Sequence, residues 1–167
     1  MLRVSLLDHT HRDALADLLV ETVAHGGSVS FMHPLAIDDA VAFWEQSLAQ
    51  AARGLRFVLG AFDGDVLVGT VTLHVDCPPN QPHRGEIAKM MTRVSHRGRG
   101  VGSALLHDAE RRAREAGRTL LVLDTAVEDG AAAFYRKLGY TLAGTIPDFA
   151  LKPYGGLTGT HIFFKNL

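Results

Sequence analysis

Between residues 94 and 106 the chain reads Val94-Ser95-His96-Arg97-Gly98-Arg99-Gly100-Val101-Gly102-Ser103-Ala104-Leu105-Leu106, with glycine at every second position from 98 to 102. No other stretch constrains the fold as tightly. The preceding residues 86–94 (EIAKMMTRV) read as a strand. From about 101 to 116, Val101, Leu105, Ala109 and Ala113 recur at helical spacing, with Arg111, Arg112 and Arg114 turned toward solvent. A glycine-rich turn feeding straight into a helix gathers successive backbone N–H groups and the unpaired amides of the first helical turn at one point, where the helix dipole also favours negative charge. Such a point suits a phosphate or pyrophosphate. Gly98, Gly100 and Gly102 keep side chains out of the way, Arg97 and Arg99 add positive charge, and Ser103 adds a hydroxyl. The alternative is a flexible turn with no ligand. A Walker-type loop would require Gly-Lys-Ser/Thr, which is absent. The dinucleotide fingerprint would space its glycines Gly-x-Gly-x-x-Gly after a first strand, whereas here they run Gly-x-Gly-x-Gly in mid-chain.

Around this segment the pattern predicts a mixed sheet with helices on its faces. Residues 2–7 read as a strand, and Asp8 or Thr10 caps a helix over 11–24 with Leu15, Leu18, Leu19 and Val23 on one stripe. A second helix over 37–52 carries Ile37, Val41, Trp44 and Leu48. Residues 55–76 form a hairpin about Asp63-Gly64. Gly117 ends the helix after the glycine turn, LLVLDT (120–125) is a buried strand, 130–138 a short helix, 139–142 the start of a strand and HIFF (161–164) a closing one.

Composition narrows the partners. A chain of 167 residues, 47% hydrophobic, suits one domain over 1–167. Seventeen Lys plus Arg against eighteen Asp plus Glu leave a net charge of −1, which provides no field for nucleic acid. No apolar run of about 18 residues and no signal-like N-terminus occurs, so the expectation is a cytoplasmic protein with no membrane partner. Cys77 is the one cysteine, which excludes an intrachain disulfide and a cysteine zinc site. Nine scattered histidines form no His-x-x-x-His pair, so no metal is expected.

Arg97-x-x-Gly100-x-Gly102 resembles the Arg/Gln-x-x-Gly-x-Gly/Ala signature of the GNAT acetyltransferase superfamily, and Ala133-Phe134-Tyr135-Arg136-Lys137-Leu138-Gly139-Tyr140 resembles its Leu/Phe-Tyr-x-x-x-Gly-Phe/Tyr signature. Over residues 84–167 the segments Glu86-Ile87-Ala88-Lys89-Met90-Met91, Leu123-Asp124-Thr125 and 144–150 are most similar to the tabtoxin-resistance type. The resemblance implies an α/β (α+β) fold: a mixed, mostly antiparallel twisted sheet of six to seven strands, splayed at the cofactor site, with about four helices. It implies an acetyl-CoA-dependent N-acetyltransferase with a small-molecule amine acceptor, an amino acid, polyamine or amine-bearing antibiotic or toxin. A homodimer is a further implied assembly, although no segment identifies an interface.

In that scheme Arg97, Gly98, Arg99, Gly100, Val101, Gly102 and Ser103 hold the CoA pyrophosphate, and the backbone of Met91 and Thr92 pairs with pantetheine and offers an oxyanion donor. Glu86 and Asp124 deprotonate the acceptor, since an alkyl ammonium has no lone pair to attack with. Tyr135 protonates the leaving sulfur, and Tyr140 packs. Cys77, in a Pro-rich loop with no base in a recognisable arrangement, argues against a covalent acetyl-enzyme. One departure concerns Glu128-Asp129-Gly130, which stands where many relatives carry a cofactor-contacting Asn. The competing readings are a protein or peptide N-acetyltransferase and a CoA-binding module without catalysis.

Overall fold

The chain contributes seven strands to one sheet: β1 (Leu2–Leu6), β2 (Arg56–Asp63), β3 (Val66–His74), β4 (Arg84–Thr92), β5 (Leu120–Ala126), β6 (Thr141–Leu151) and β7 (Leu157–Asn166). In the computed structural model, which describes residues 2–167, they lie in the order β1-β2-β3-β4-β5-β7-β6. Every neighbouring pair is antiparallel except β4–β5. Four helices complete the fold: α1 (Arg12–Ala24), α2 (Ile37–Ala52), α3 (Val101–Glu115) and α4 (Ala132–Lys137). The mixed, mostly antiparallel α/β architecture implied by the sequence is the one observed.

Alternation along the strands splits the core in two. Leu59, Val71, Leu73, Ile87, Leu121 and Leu123 pack on one face against Leu105, Ala109 and Ala113 of α3 and Tyr135 of α4. Val58, Phe62, Leu67 and Met91 meet Leu15, Leu19 and Val23 of α1 and Trp44 and Leu48 of α2 on the other. Each fully buried Leu or Val contributes about 1.5–3 kcal/mol of hydrophobic stabilisation. The predicted stripes of α1 and α3 are those that bury. Ile37 is an exception, exposed at the first position of α2. Arg112 is another, folded onto Asp108 at 2.7 Å rather than solvated.

The sheet splays in its middle. β4 and β5 pair over Arg84–Leu120, Gly85–Leu121 and Glu86–Val122 alone, although β4 continues to Thr92 and β5 to Ala126. Beyond that point β4 stays with β3, its register shifting between Thr70 and Thr72 around Lys89, whose φ of 50° marks a bulge. β5 meanwhile stays with β7 along its whole length.

Local departures from expectation have local causes. Asp8 caps a 3-10 turn, His9–His11, through its carboxylate and the Thr10 N–H (3.0 Å), and the α-helix proper begins at Arg12. The β2–β3 turn is centred on Gly64 and Asp65, one residue later than expected, because Asp63 pairs with Val66 and only Gly64 takes a positive φ. The β6–β7 hairpin is far longer than the short segments predicted. Gly144 and Pro147 interrupt the alternation of β6, which tolerates them as an edge strand with register shifts. Among the described residues no helix is long and apolar enough to cross a membrane.

A buried ion pair ties the far side of the sheet together. Lys165 of β7 reaches Glu110 of α3 at 2.8 Å and also donates to the Leu138 carbonyl at 2.8 Å. With Glu110 almost wholly buried, Lys165→Met should destabilise the fold by about 3–5 kcal/mol, because it leaves a carboxylate without its partner. Denaturant unfolding checks this, and adding Glu110→Leu should recover most of the loss.

Candidate active site

Where β4 and β5 separate, a cleft of ≈ 830 Å³ opens. One end is built by the glycine turn. Gly98 (φ 74°) and Gly100 (φ 82°) both hold the left-handed conformation, which a side chain would strain. The first intrahelical bond of α3 runs from the Ala104 N–H to the Gly100 carbonyl (3.0 Å), so the N–H groups of Val101, Gly102 and Ser103 have no partner within the helix. No side chain caps this terminus, and its first turn carries no acidic residue. A Cβ on Gly102 would stand 3.0 Å from Phe134 Cζ and 3.3 Å from Met90 Cε, so a side chain here would press on the tips of Phe134 and Met90. The arrangement fits a pyrophosphate.

Glu21 of α1 anchors the approach to this turn. Its carboxylate accepts the Val94 N–H at 2.9 Å and pairs with Arg93, whose Nε donates to the Leu67 carbonyl at 2.8 Å. Burial pushes the Glu21 carboxyl up, but the Val94 N–H and the Arg93 guanidinium outweigh it and hold the group below its ordinary range.

The structure brings most of the expected site residues to the cleft. Met91, Thr92, Arg97, Gly98, Gly100, Val101, Gly102 and Ser103 line the end at the glycine turn, and Asp124 and Tyr135 line the other side of the gap. Arg99 is exposed and outside the lining. Glu86 also lies outside it, at the last β4–β5 pairing position, where Arg84 donates to its carboxylate at 3.2 Å. Pairing with Val122 puts Glu86 on the same sheet face as Asp124, two residues on.

Asp124 is oriented by Thr160 of β7, whose hydroxyl lies 3.1 Å from both the Asp124 carboxylate and the Thr125 carbonyl. Tyr135 is buried among Phe134, Tyr140 and Phe163, with ring centroids 5.2, 5.8 and 5.8 Å away. Burial, followed by the nearby carboxylates of Asp124 and Asp129, pushes its phenol up to about 12. The phenol is therefore a neutral proton donor under all ordinary conditions. Asp129, in the segment that departs from the family pattern, also lines the cleft. Burial raises its carboxyl, and the Ser28 N–H and Arg97 only partly pull it back.

Two features were missed in the sequence. Lys89 lines the cleft and donates to Ser30 Oγ at 3.0 Å, and burial lowers its ammonium from the ordinary lysine range. Its signal was a cation interrupting the apolar run from Ile87 to Met91. The second is the loop following α1, whose residues 25–30 wall the cleft. The β6–β7 hairpin tip braces it: Tyr154 donates to the Ala24 carbonyl (2.6 Å), the His33 N–H donates to the Pro153 carbonyl (2.9 Å), and the His33 and Tyr154 rings stack at 4.4 Å. Among the described residues no three His, Cys, Asp or Glu side chains converge as a metal site would require.

A sheet parted beside an anion-holding helix start, with a carboxylate and a neutral phenol across the gap, defines an acyltransferase cleft. The chain belongs to the Acetyltransferase (GNAT) family, acyltransferases that use acetyl-CoA, whose profile matches residues 19–140. It is 33% identical over 94 residues to N-acetyltransferase 8 of Rattus norvegicus, an alignment covering 55% of this chain and 42% of that protein, so the chain spans less than half of that relative's length. Its fold is similar to that of a ribosomal-protein-alanine N-acetyltransferase from Brucella melitensis, with a TM-score of 0.86 at 21% identity over 99% of each chain. A Salmonella typhimurium structure solved with its cofactor acetyl-CoA superposes with a TM-score of 0.84 at 19% identity, over 100% of this chain and 94% of that one. At these identities the structural likeness establishes the fold.

The cradle geometry generates a direct test. A Cβ at Gly100 meets nothing within 4 Å, so Gly100→Glu should cost only the roughly 1–2 kcal/mol of a left-handed non-glycine residue and still fold, while placing a negative charge in the turn expected to hold the pyrophosphate. Titration calorimetry should find acetyl-CoA binding abolished, with the circular dichroism spectrum retained; undiminished binding would refute this placement of the cofactor.

Proposed function

We propose that this protein transfers the acetyl group of acetyl-CoA directly to a primary amine of a small molecule. The observation that carries the reading is the meeting of a carboxylate, Asp124, and a neutral phenol, Tyr135, across one cleft that also holds the phosphate cradle. Acetyl-CoA, when bound, supplies an activated thioester carbonyl and a thiolate leaving group. The free amides of Val101, Gly102 and Ser103, with Arg97, hold its pyrophosphate, and Arg99 at the rim adds attraction at longer range. Met91 and Thr92 offer backbone groups to the pantetheine arm along the β4 edge that β5 has left.

Asp124 accepts a proton from the acceptor ammonium, freeing the nitrogen lone pair. Thr160 keeps that carboxylate turned into the gap. Glu86 lies behind it on the same sheet face, paired with Val122. Tyr135 gives its phenolic proton to the departing sulfur. A small acceptor is supported by the loop after α1, whose residues 25–30 wall the cleft and which Pro153 and Tyr154 hold in place, and by the resemblance of residues 84–167 to the tabtoxin-resistance type.

Thiol release from acetyl-CoA, followed across amino acids, polyamines, amine antibiotics and short peptides, tests the reading. Release should depend on a small amine; release with peptides alone would overturn the acceptor class. Asp124→Asn should lower kcat about 10²–10⁴-fold, the usual worth of a positioned base, and Glu86→Gln by much less. The reverse order would reassign the base. Tyr135→Phe should lower kcat more than acetyl-CoA affinity. Because its phenol stays protonated to about 12, the alkaline limb of the rate profile below that pH should be unchanged in this variant. Disappearance of such a limb would show that Tyr135 ionises there.

A further inference from the structure

Lys89 stands out among the groups that the reaction scheme does not use. It occupies the β4 bulge at the point where the sheet parts, and it faces Asp124 across the cleft. Its ammonium lies to one side of the edge-to-face pair of Phe31 and Phe43, 6.0 and 5.7 Å from ring centroids that are themselves 5.2 Å apart, and makes one hydrogen bond, to the neutral hydroxyl of Ser30 at 3.0 Å. An ammonium has three N–H donors, and a half-buried one normally finds an anion. Among the described residues no carboxylate forms an ion pair with Lys89; Asp124 is felt only across the gap.

The contact is also held at a conformational cost. Ser30 (φ 75°) and Lys89 (φ 50°) are two of the three non-glycine residues with positive φ among the described residues, and they are bonded to each other. Strain persists where the surroundings enforce it, and it gathers at ligand sites. Here the surroundings are the β3–β4 register shift on one side and, on the other, the loop stitched to Pro153 and Tyr154.

We infer that Lys89 is a specificity-determining residue that binds the carboxylate of the acceptor, so that the substrate class is an amino acid: an amine and a carboxylate on one small skeleton. The inference rests on the transfer reading above and deepens it. The cleft presents a carboxylate, Asp124, and a cation, Lys89, as the complement of a zwitterion. Asp124 pairs with the substrate ammonium before taking its proton, while Lys89 holds the other end. A polyamine would set its second ammonium against Lys89, and a peptide N-terminus would offer a neutral amide there, so both are selected against. The Phe31 and Phe43 rings beside the ammonium add cation–π attraction that holds it in place for a charge-assisted bond.

The test compares free amino acids with their carboxamides, which keep the amine and lose the anion, in the wild type, Lys89→Met and Lys89→Arg. In the wild type kcat/KM should favour the free acid by roughly 10- to 100-fold, mostly through KM, as expected for a charge-assisted hydrogen bond. That ratio should fall to near one in Lys89→Met and be largely kept in Lys89→Arg. Equal use of acid and amide by the wild type, or an unchanged ratio in Lys89→Met, overturns the inference. A second readout needs no turnover: with CoA present, amino acids but not their amides should raise the melting temperature of the wild type, and neither should raise that of Lys89→Met above its own ligand-free value. If no amine releases thiol, the transfer reading fails; the melting shift then decides the site alone, and its absence in the wild type overturns it.

Discussion

The parting of β4 from β5 is the constraint on which the rest of the molecule depends. Parallel strands side by side would normally keep pairing, because each unpaired backbone N–H or C=O must find another partner. Here three residue pairs suffice before the strands part company. β4 is held to β3 through the bulge at Lys89, and β5 is held to β7 from Leu120 to Ala126. Each strand has one loyal neighbour, and the gap lies between the two halves of the sheet. The free edge that results is a stretch of backbone donors and acceptors open to an extended ligand, which a continuous sheet would not have.

The gap then organises charge. At one end the uncapped start of α3 and Arg97 present positive potential to a phosphate. On the other side Asp124 and Asp129 carry negative charge, and both act on Tyr135 in the same direction as its burial, keeping the phenol protonated. A phenol raised in this way is a weaker acid than an ordinary tyrosine and keeps its proton, so it faces the gap as a neutral hydrogen-bond donor. Glu21 performs a structural task in the same field, fixing Arg93 and Val94 so that the chain enters the glycine turn from a set position.

Much of this could be read in the sequence, for reasons that differ by residue. Gly98, Gly100 and Gly102 were legible because a left-handed backbone and close helix packing both demand the absence of a side chain, and that demand leaves a mark at fixed spacing. Leu105, Ala109 and Ala113 were legible because a helix on a sheet buries one stripe. Glu86 and Asp124 could be nominated together, but their separation could not: it depends on where the β4–β5 pairing stops, which follows from the bulged β3–β4 register and the hold of β7 on β5. The β6–β7 hairpin was hidden by Gly144 and Pro147, residues that argue against a strand unless the strand is known to lie at an edge.

Lys89 shows most clearly what a one-dimensional pattern omits. In the sequence it is a charged residue within the apolar run from Ile87 to Met91, and alternation would turn it either into the core or out to solvent. The bulge does neither. It rotates the side chain into the gap that the same bulge helps to open, toward a loop placed there by the tip of a hairpin more than 60 residues further along the chain. Backbone irregularity, sheet opening and the position of a cation in the cleft thus go together with one register shift. A sequence could keep every glycine of the cradle and still lose this site by straightening β4.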